Sequence, residues 1–252
     1  MADHMTTRIL TYNVHRCVGT DRQLDVGRIA KVIAGEAPDI VCLQELDVGR
    51  ARTNGVDQAS ELASLLGMSS RFHPAMRIEA EEYGDAILTR LPETLIRADS
   101  LPTVRGIRGL EPRGALWSEV RIGHQPLNVL TTHLGLVPRE QRKQAKALTG
   151  AAWLAACEGP TILAGDFNAT SITRPYATLT SVLKDAQREL GLRPTIKTFP
   201  SSFAAIRIDH FFVNAQVKVK SVHTVQTPLS RVASDHLPLV MDFELRALNE
   251  VA

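Results

Sequence analysis

The sequence predicts an α/β sandwich in which two β-sheets pack face to face and helices flank them. Short apolar strands alternate with amphipathic helices in both halves of the chain. Strands also follow one another directly over 86–133 and 206–244. A doubly wound parallel sheet, the alternative, needs a crossover after nearly every strand, so these direct successions count against it.

Apolar runs and alternation place the strands, and one-sided apolar faces place the helices. Strands are expected over 8–14, 40–43, 86–89, 95–97, 115–121, 127–133, 161–164, 206–213, 217–225 and 237–244. Helices are expected over 24–36, 57–66, 139–156 and 176–190. Pro138 suits the first position of the third helix, and Gly159-Pro160 ends it.

Length and composition predict one ordinary globular domain. The chain has 252 residues, of which 44% are hydrophobic and 22% charged, and this excludes disordered, collagen-like and coiled-coil classes. No Pro/Gly/Ser-rich linker divides it, so we expect a single domain over 8–247. Residues 1–7 are expected to be a disordered or vector-derived N-terminus.

The cysteine count and hydropathy predict a cytoplasmic protein. Three cysteines make a disulfide framework improbable and suit a reducing compartment. No apolar run approaches the 18 or so residues of a membrane-spanning helix. The net charge of +2 is lower than that of a dedicated nucleic-acid-binding protein, although it permits a polyanionic substrate.

Polar side chains stand at or near the ends of six predicted strands. They are Asn13, Gln44, Glu45, His133, Asp166, Asn168, Asp209, Asp235 and His236. Strand ends gather at one rim of an α/β fold, where binding sites form. Carboxylate and amide oxygens without thiolates favour a hard cation such as Mg²⁺ or Mn²⁺.

The sequence lacks the motifs that are typical of several other kinds of binding site and enzyme. No Gly-x-Gly-x-x-Gly or P-loop follows a strand, no Gly-x-Ser-x-Gly is present, and no Cys/His spacing suits zinc. A hard metal with two histidines and several carboxylates instead suits hydrolysis of a phosphate ester. That reaction needs charge neutralisation on the phosphate oxygens and a water aimed in line.

Six blocks resemble, in order, those of the endonuclease/exonuclease/phosphatase superfamily, which includes deoxyribonuclease I, abasic-site endonucleases, bacterial sphingomyelinases and inositol-polyphosphate 5-phosphatases. The blocks are Thr11-Tyr12-Asn13-Val14-His15, Leu43-Gln44-Glu45, Thr132-His133-Leu134, Gly165-Asp166-Phe167-Asn168-Ala169, Ile208-Asp209-His210-Phe211-Phe212 and Ser234-Asp235-His236-Leu237-Pro238. They span nearly the whole chain. The combination of Gly-Asp-Phe-Asn with a terminal Ser-Asp-His is the most specific part.

The resemblance implies a four-layered α/β sandwich with Mg²⁺ at one rim, for which Mn²⁺ is expected to substitute. Glu45 would be the principal metal ligand, helped by Asn13 and Asp235. Asp166 would position the attacking water, and Asn168 would orient that water or the phosphate.

The resemblance also implies catalytic roles for two histidines. His236 would donate to a phosphate oxygen with Asp209 supporting its ring, and His133 would be a second donor. A carboxylate on one ring nitrogen fixes the tautomer and favours the protonated ring. Whether an Asp or a His is the general base stays open.

One block departs from the family pattern. Asp85, in Tyr83-Gly84-Asp85-Ala86-Ile87-Leu88, stands where relatives place Asn, and Tyr83 stands where some place a phosphate-contacting tyrosine. An ionised Asp cannot donate a hydrogen bond, so weaker anion binding or a displaced metal is expected.

Three arginines lie in a Gly/Pro-rich stretch, namely Arg105, Arg108 and Arg113. They are either a solvated loop or a substrate-facing clamp, and Arg113 is the best candidate for substrate contact because it precedes a strand.

The leading hypothesis is a monomeric Mg²⁺-dependent phosphodiesterase acting on a phospholipid headgroup or another small phosphodiester. A DNA or RNA endonuclease or exonuclease, of the abasic-site type, is the alternative, so nucleic acid and peripheral membrane lipid are both candidate partners. The sequence identifies no aromatic or methionine wedge at the rim. A non-catalytic binding module is the third hypothesis, and it would predict loss of site residues, whereas only Asp85 departs.

Overall fold

Two six-stranded sheets pack face to face, which confirms the predicted α/β sandwich. The computed structural model describes residues 6–104, 106 and 109–246. The strands are β1 (Thr7–Asn13), β2 (Ile40–Val48), β3 (Ser69–Ile78), β4 (Glu81–Thr89), β5 (Glu93–Ser100), β6 (Gly114–Ile122), β7 (Gln125–His133), β8 (Thr161–Asp166), β9 (Lys184–Asp185), β10 (Asp209–Val213), β11 (Val217–Thr224) and β12 (Leu239–Leu245). The first sheet has the order β11-β12-β1-β2-β4-β3, and the second has the order β5-β6-β7-β8-β10-β9.

Among the described residues, six α-helices accompany the sheets, and local capping explains where the first two begin and where the second ends. They are α1 (Val26–Ala34), α2 (Gln58–Leu66), α3 (Pro138–Leu148), α4 (Arg174–Thr180), α5 (Ala186–Glu189) and α6 (Pro228–Ala233). The Asp25 and Asp57 carboxylates accept backbone N–H groups at the starts of α1 and α2. Gly67 ends α2 in the left-handed conformation, with a φ of 61°.

Apolar side chains fill three layers between these elements. The inner layer joins the two sheets and includes Ile9, Ile40, Ile87, Leu116, Val129, Ile162, Phe211 and Met241. One outer layer packs α1 and α2 on the first sheet, and the other packs α3 and α4 on the second. Successive strand residues point to opposite faces, so each sheet contributes side chains to the inner apolar layer and to one outer apolar layer. Helices, two sheets and helices therefore form the predicted four-layered arrangement.

Two of the four predicted helices are wrong in extent. The helix expected over 139–156 ends at Leu148, and the chain then turns so that Trp153 packs, 4% exposed, into the outer layer beside α3. The helix expected over 176–190 is interrupted at β9, where Asp185 pairs with Phe212 of β10. The same Asp185 carboxylate then caps α5 by accepting from the backbone N–H groups of Gln187 and Arg188.

Besides β9, two further elements were not predicted. β3 is an edge strand whose residues are half-exposed or exposed, and it contains a proline, so it lacks a clear apolar alternation. α6 is short, and a capping box between Thr227 and Ser230 begins it. No helix among the described residues is long and apolar enough to cross a membrane.

Sheet register brings the polar strand ends to one rim. β1 runs parallel to β2, and β7 runs parallel to β8. His133 lies beside Asp166 in the β7–β8 pair, and Asp209 lies beside Asp166 in the antiparallel β8–β10 pair. The close approach of β7 to β8 requires Gly165, whose φ is 143° and where a Cβ atom would lie 2.0 Å from the Thr132 carbonyl oxygen.

The substitution Gly165→Ala is therefore expected to lower the free energy of unfolding by about 3 kcal/mol or more, through backbone strain and the clash with Thr132. Urea denaturation measures this change. Gly123→Ala is the matched control, because Gly123 also has a positive φ, of 60°, but nothing lies within 4 Å of its added Cβ. That control is expected to cost about 1 kcal/mol, and equal losses in the two variants would contradict the steric argument.

Candidate active site

Side chains from both sheets meet at the rim in a continuous chain of close contacts. Those brought together by direct contacts are Asn13, Glu45, Arg113, His133, Asp166, Asn168, Asp209 and His236. Asp166 lies at the centre of this set. It is 1% exposed and contacts Asn13, His133 and His236.

Asn13 joins the carboxylates of the two sheets. Its Nδ2 donates to Glu45 Oε1 and to Asp166 Oδ2, both at 3.0 Å. Its Oδ1 accepts from the backbone N–H of His15 at 3.1 Å, which orients the amide. Ser234 Oγ donates to the Asn13 carbonyl at 2.7 Å and ties the segment before β12 to the same place.

A β-bulge directs Glu45 toward the rim. The β2–β4 register shifts between Leu43 and Leu46, and Glu45 between them has a φ of 62°. A bulge re-aims a side chain that a regular strand would turn to the opposite face. The Glu45 side chain is 19% exposed, so this carboxylate remains accessible at the mouth of the site.

His236 is held as an imidazolium between two carboxylates. Its Nδ1 lies 2.9 Å from Asp209 Oδ2, and its Nε2 lies 3.6 Å from Asp166 Oδ2. Burial opposes the charge, but Asp209 and then Asp166 outweigh it and raise the pKa of His236. The hydroxyl of Thr198 donates to the same Asp209 oxygen at 2.5 Å and fixes its position.

His133 has the opposite charge state. Arg113 Nη1 lies 3.0 Å from His133 Nδ1, and because a guanidinium only donates, Nδ1 must be the acceptor. The single ring proton is therefore on Nε2, 3.4 Å from Asp166 Oδ2. Burial, with Arg113 and His236 nearby, lowers the pKa of His133 well below its usual value.

Asp166 itself has a raised proton affinity. Burial raises its pKa, Asp209 adds to the rise, and the His236 imidazolium opposes it. The backbone N–H of Asn168 donates to Asp166 Oδ1 at 2.9 Å, across a turn in which Asn168 has a φ of 47°. A buried carboxylate with a raised pKa is a stronger base than a solvated one, so Asp166 is suited to accept a proton.

Asn168 lies against His133. Its Nδ2 donates to the Leu134 carbonyl at 3.0 Å. Nδ2 is also 3.0 Å from His133 Nε2, but because Nε2 carries the ring proton, both atoms are donors and this contact is not a hydrogen bond. The amide and the imidazole therefore occupy one wall of the site.

Asp85 and Tyr83 are buried beside Arg113. Burial raises the pKa of Asp85 to about 7, against the effect of Arg113, and Glu45 adds to the rise. A carboxyl with a pKa of about 7 is protonated in part of the molecules at neutral pH, and the protonated form can donate a hydrogen bond. The weaker anion binding expected from this exchange stays a prediction. Burial and Glu45 also raise the pKa of Tyr83, so its hydroxyl stays protonated.

Of the three loop arginines, only Arg113 lies within the described residues. It is 6% exposed, and its Nη2 pairs with Glu111 at 3.2 Å. Arg105 and Arg108 lie outside the described residues.

The donor set fits a hard divalent cation at the Glu45 end. Two carboxylates, those of Glu45 and Asp166, converge on the one amide of Asn13, and oxygen donors of this kind suit Mg²⁺. Asp166, Asp209 and His236 also cluster closely enough to hold a metal. Metal ligation needs a neutral imidazole, however, and His236 is charged and bonded to Asp209, which makes this cluster a proton-handling group.

Asp235 is half-buried next to His236, and its backbone carbonyl accepts from the Ser201 N–H at 2.7 Å. No described contact joins its carboxylate to Glu45, so the structure does not bring Asp235 into the contact network.

Sequence reasoning missed three residues that support the site. They are Thr198, Ser234 and Arg52. Arg52 stacks over the Tyr83 ring at 5.4 Å while its guanidinium forms two 2.7 Å hydrogen bonds to the buried Asp47. Ser234 belongs to a recognised block, whereas nothing in the sequence near Thr198 or Arg52 indicates their partners.

Comparison with solved structures finds the same fold. An endonuclease/exonuclease/phosphatase from Beutenbergia cavernae DSM 12333 has a TM-score of 0.78 and 23% identity, over 96% of this chain and 72% of that chain. An endonuclease/exonuclease/phosphatase family protein from Bacteroides thetaiotaomicron has a TM-score of 0.78 and 19% identity, over 98% of both chains. A mannosyl-6-phosphatase from Bacteroides thetaiotaomicron VPI-5482 has a TM-score of 0.71 and 19% identity, over 94% of this chain and 99% of that chain.

No curated protein matches this sequence. The family model for the endonuclease/exonuclease/phosphatase family matches residues 10–236. This range begins before Asn13 and ends at His236, so it contains every residue of the contact network. The chain belongs to the endonuclease/exonuclease/phosphatase family, a group of phosphate-ester hydrolases.

Proposed function

We propose that this chain is a Mg²⁺-dependent phosphodiesterase that works as a monomer through a single domain over 8–247. The observation that carries the proposal is Asp166, a buried carboxylate of raised pKa held between a neutral histidine and an imidazolium. A base and an acid only a few ångströms apart suit attack of water on phosphorus. A binding module would need neither.

In this proposal, the Glu45 side of the site, called here the metal end, neutralises negative charge on the substrate phosphate. Mg²⁺, or Mn²⁺ in its place, would be held by Glu45, Asp235 and Asn13 and would withdraw charge from the phosphate oxygens. Asn13 would ligate it through Oδ1, the oxygen that accepts from the His15 N–H in this structure. Arg113 and Tyr83 stand beside this end, and they and Asp85 are proposed to contact the phosphate.

Asp166 accepts a proton from the attacking water, which Asn168 orients. The His236 imidazolium donates through Nε2 to a phosphate oxygen, where negative charge grows as the new P–O bond to water forms. The P–O bond to the leaving alcohol breaks in the same displacement, the departing oxygen takes a proton from solvent, and Asp166 returns the proton it accepted to solvent. Asp209 accepts from His236 Nδ1, which orients the ring with Nε2 toward the reacting atoms and stabilises its positive charge. His133, through its Nε2 proton, is the second donor to the phosphate.

The proposed substrate is a phospholipid headgroup or another small phosphodiester. The modest net charge of +2 supports this over a nucleic acid. The similar mannosyl-6-phosphatase acts, by its name, on a phosphate monoester, so monoesters belong in the test. A panel of lysophospholipid, inositol phosphate, abasic DNA, single-stranded DNA and RNA separates the classes, and a steep salt dependence would indicate nucleic acid.

The substitution Asp209→Asn is expected to lower kcat on bis-p-nitrophenyl phosphate by about 10³-fold or more. The reason is that the His236 ring loses the carboxylate that orients it and stabilises its positive charge. Steady-state kinetics measure the effect, with the unfolding midpoint as a check on the fold. Asp99→Asn, which removes an exposed carboxylate paired with Arg97, is the control and should leave kcat unchanged. Unchanged turnover in Asp209→Asn would contradict the assigned role.

Excess EDTA is expected to abolish turnover, and Mg²⁺ or Mn²⁺ should restore it. Calorimetric titration of Mg²⁺ should show one binding event that Glu45→Gln weakens at least tenfold, since an anionic ligand is lost. Glu82→Gln, at an exposed pair with Arg77, is the matched control. Full activity in EDTA, or equal Mg²⁺ affinity in both variants, would overturn the metal assignment.

A further inference from the structure

Three large apolar side chains project into solvent from loops beside the site. Leu136 is 73% exposed, Ile172 is 92% exposed and Phe203 is 72% exposed. Leu136 lies three residues after His133, and Ile172 lies four residues after Asn168. Phe203 lies in a loop that contacts His236. Phe203 is an aromatic residue at the rim, a position that the sequence alone did not indicate for any aromatic side chain.

Hydrogen bonds hold these loops next to the catalytic group. Gln141 Nε2 donates to the carbonyls of Gly135 and Asn168, both at 2.8 Å, and so joins the loops that carry Leu136 and Ile172. The Phe203 loop is held against His236. Its Phe199 ring lies 4.9 Å from the His236 ring, and its Ser201 N–H donates to the Asp235 carbonyl. The three side chains, called here the apolar tips, therefore border one site.

The surroundings of the apolar tips carry positive charge. Segments 167–184 and 194–208 contain no Asp or Glu, and the one acid of α3, Glu140, is buried at 1% exposure. Among the described residues, the exposed and unpaired charges on these segments and on α3 are basic: Arg139, Arg142, Lys143, Lys146, Arg174 and Lys197. The Lys184 ammonium is paired with Glu189, and the half-buried Asp235 contacts the Phe203 loop through its backbone carbonyl. Bulky apolar side chains among exposed cations complement an anionic lipid surface, in which the tips enter the acyl boundary and the cations meet the headgroups.

We propose that the apolar tips dock this protein on an anionic lipid surface and present a headgroup phosphodiester to the Asp166 site. This inference rests on the proposed function for its substrate, and it narrows that substrate to a phosphodiester held in a bilayer. Two of the three tips are aliphatic and offer no face on which a base could stack, whereas surfaces for single-stranded nucleic acid rely on aromatic platforms. The observations therefore favour a lipid surface.

Co-sedimentation with vesicles tests the docking separately from catalysis. The intact protein is expected to bind vesicles that mix phosphatidylcholine with phosphatidylglycerol, and to bind pure phosphatidylcholine vesicles less tightly, because the anionic surface attracts the cations. The triple variant L136S/I172S/F203S should lose at least about tenfold in vesicle affinity. The matched control L65S/L95S/I96S removes three exposed apolar side chains from other parts of the surface and should bind as the parent does.

Turnover of a water-soluble diester distinguishes the two proposals. The triple variant should hydrolyse bis-p-nitrophenyl phosphate at the parent rate, because the apolar tips belong to no part of the catalytic group. Vesicle binding without hydrolysis of any phosphate ester would retain the docking surface and refute the proposed function. Absence of binding to anionic vesicles, equal loss in both triple variants, or tight salt-sensitive binding to single-stranded DNA instead would overturn the docking proposal.

Discussion

The candidate site depends on burying one carboxylate, Asp166, without leaving it unpaired. A buried, isolated carboxylate is costly, and a protein stabilises one with hydrogen bonds and opposite charge. Here the Asn13 amide, the Asn168 backbone N–H and the His236 imidazolium all meet the same side chain. The opposing effects leave Asp166 with a raised proton affinity, which is the property a base in this position needs.

The two histidines differ in charge because their outer partners differ. Asp209 on His236 Nδ1 stabilises a second ring proton, whereas Arg113 on His133 Nδ1 excludes one. The same residue type therefore provides a charged donor on one side of Asp166 and a neutral donor on the other. Partner residues, more than burial alone, determine these states, since both histidines are buried.

Much of this arrangement could be predicted from the sequence, because it follows from strand ends. Asn13 and Asp166 stand where apolar strands end, and parallel pairing in each sheet brings such ends to one rim. His236 precedes β12, whose antiparallel pairing with β1 brings its start to the same rim. The charge state of His133 could not be predicted, because it depends on contact with Arg113, which lies in a loop without a regular pattern. Glu45 was predicted as a residue, but its orientation depends on a bulge that no periodicity indicates. The apolar tips were missed for a related reason, since single apolar residues in loops form no pattern and only the structure shows their exposure.

The rim has two chemically different sides, and this asymmetry constrains how a substrate approaches. Glu45, Asp85 and the Arg52–Tyr83 stack lie on the side of the first sheet, where charge is dense and fixed by partners. The apolar tips and their basic neighbours lie on the other side, beyond His133 and His236. Under the proposed function, a diester with one apolar and one polar substituent would satisfy both sides only in one orientation, with its phosphorus between Asp166 and Glu45. A symmetric polyanion would gain nothing from the apolar side, and this is the physical reason for proposing an amphipathic phosphodiester.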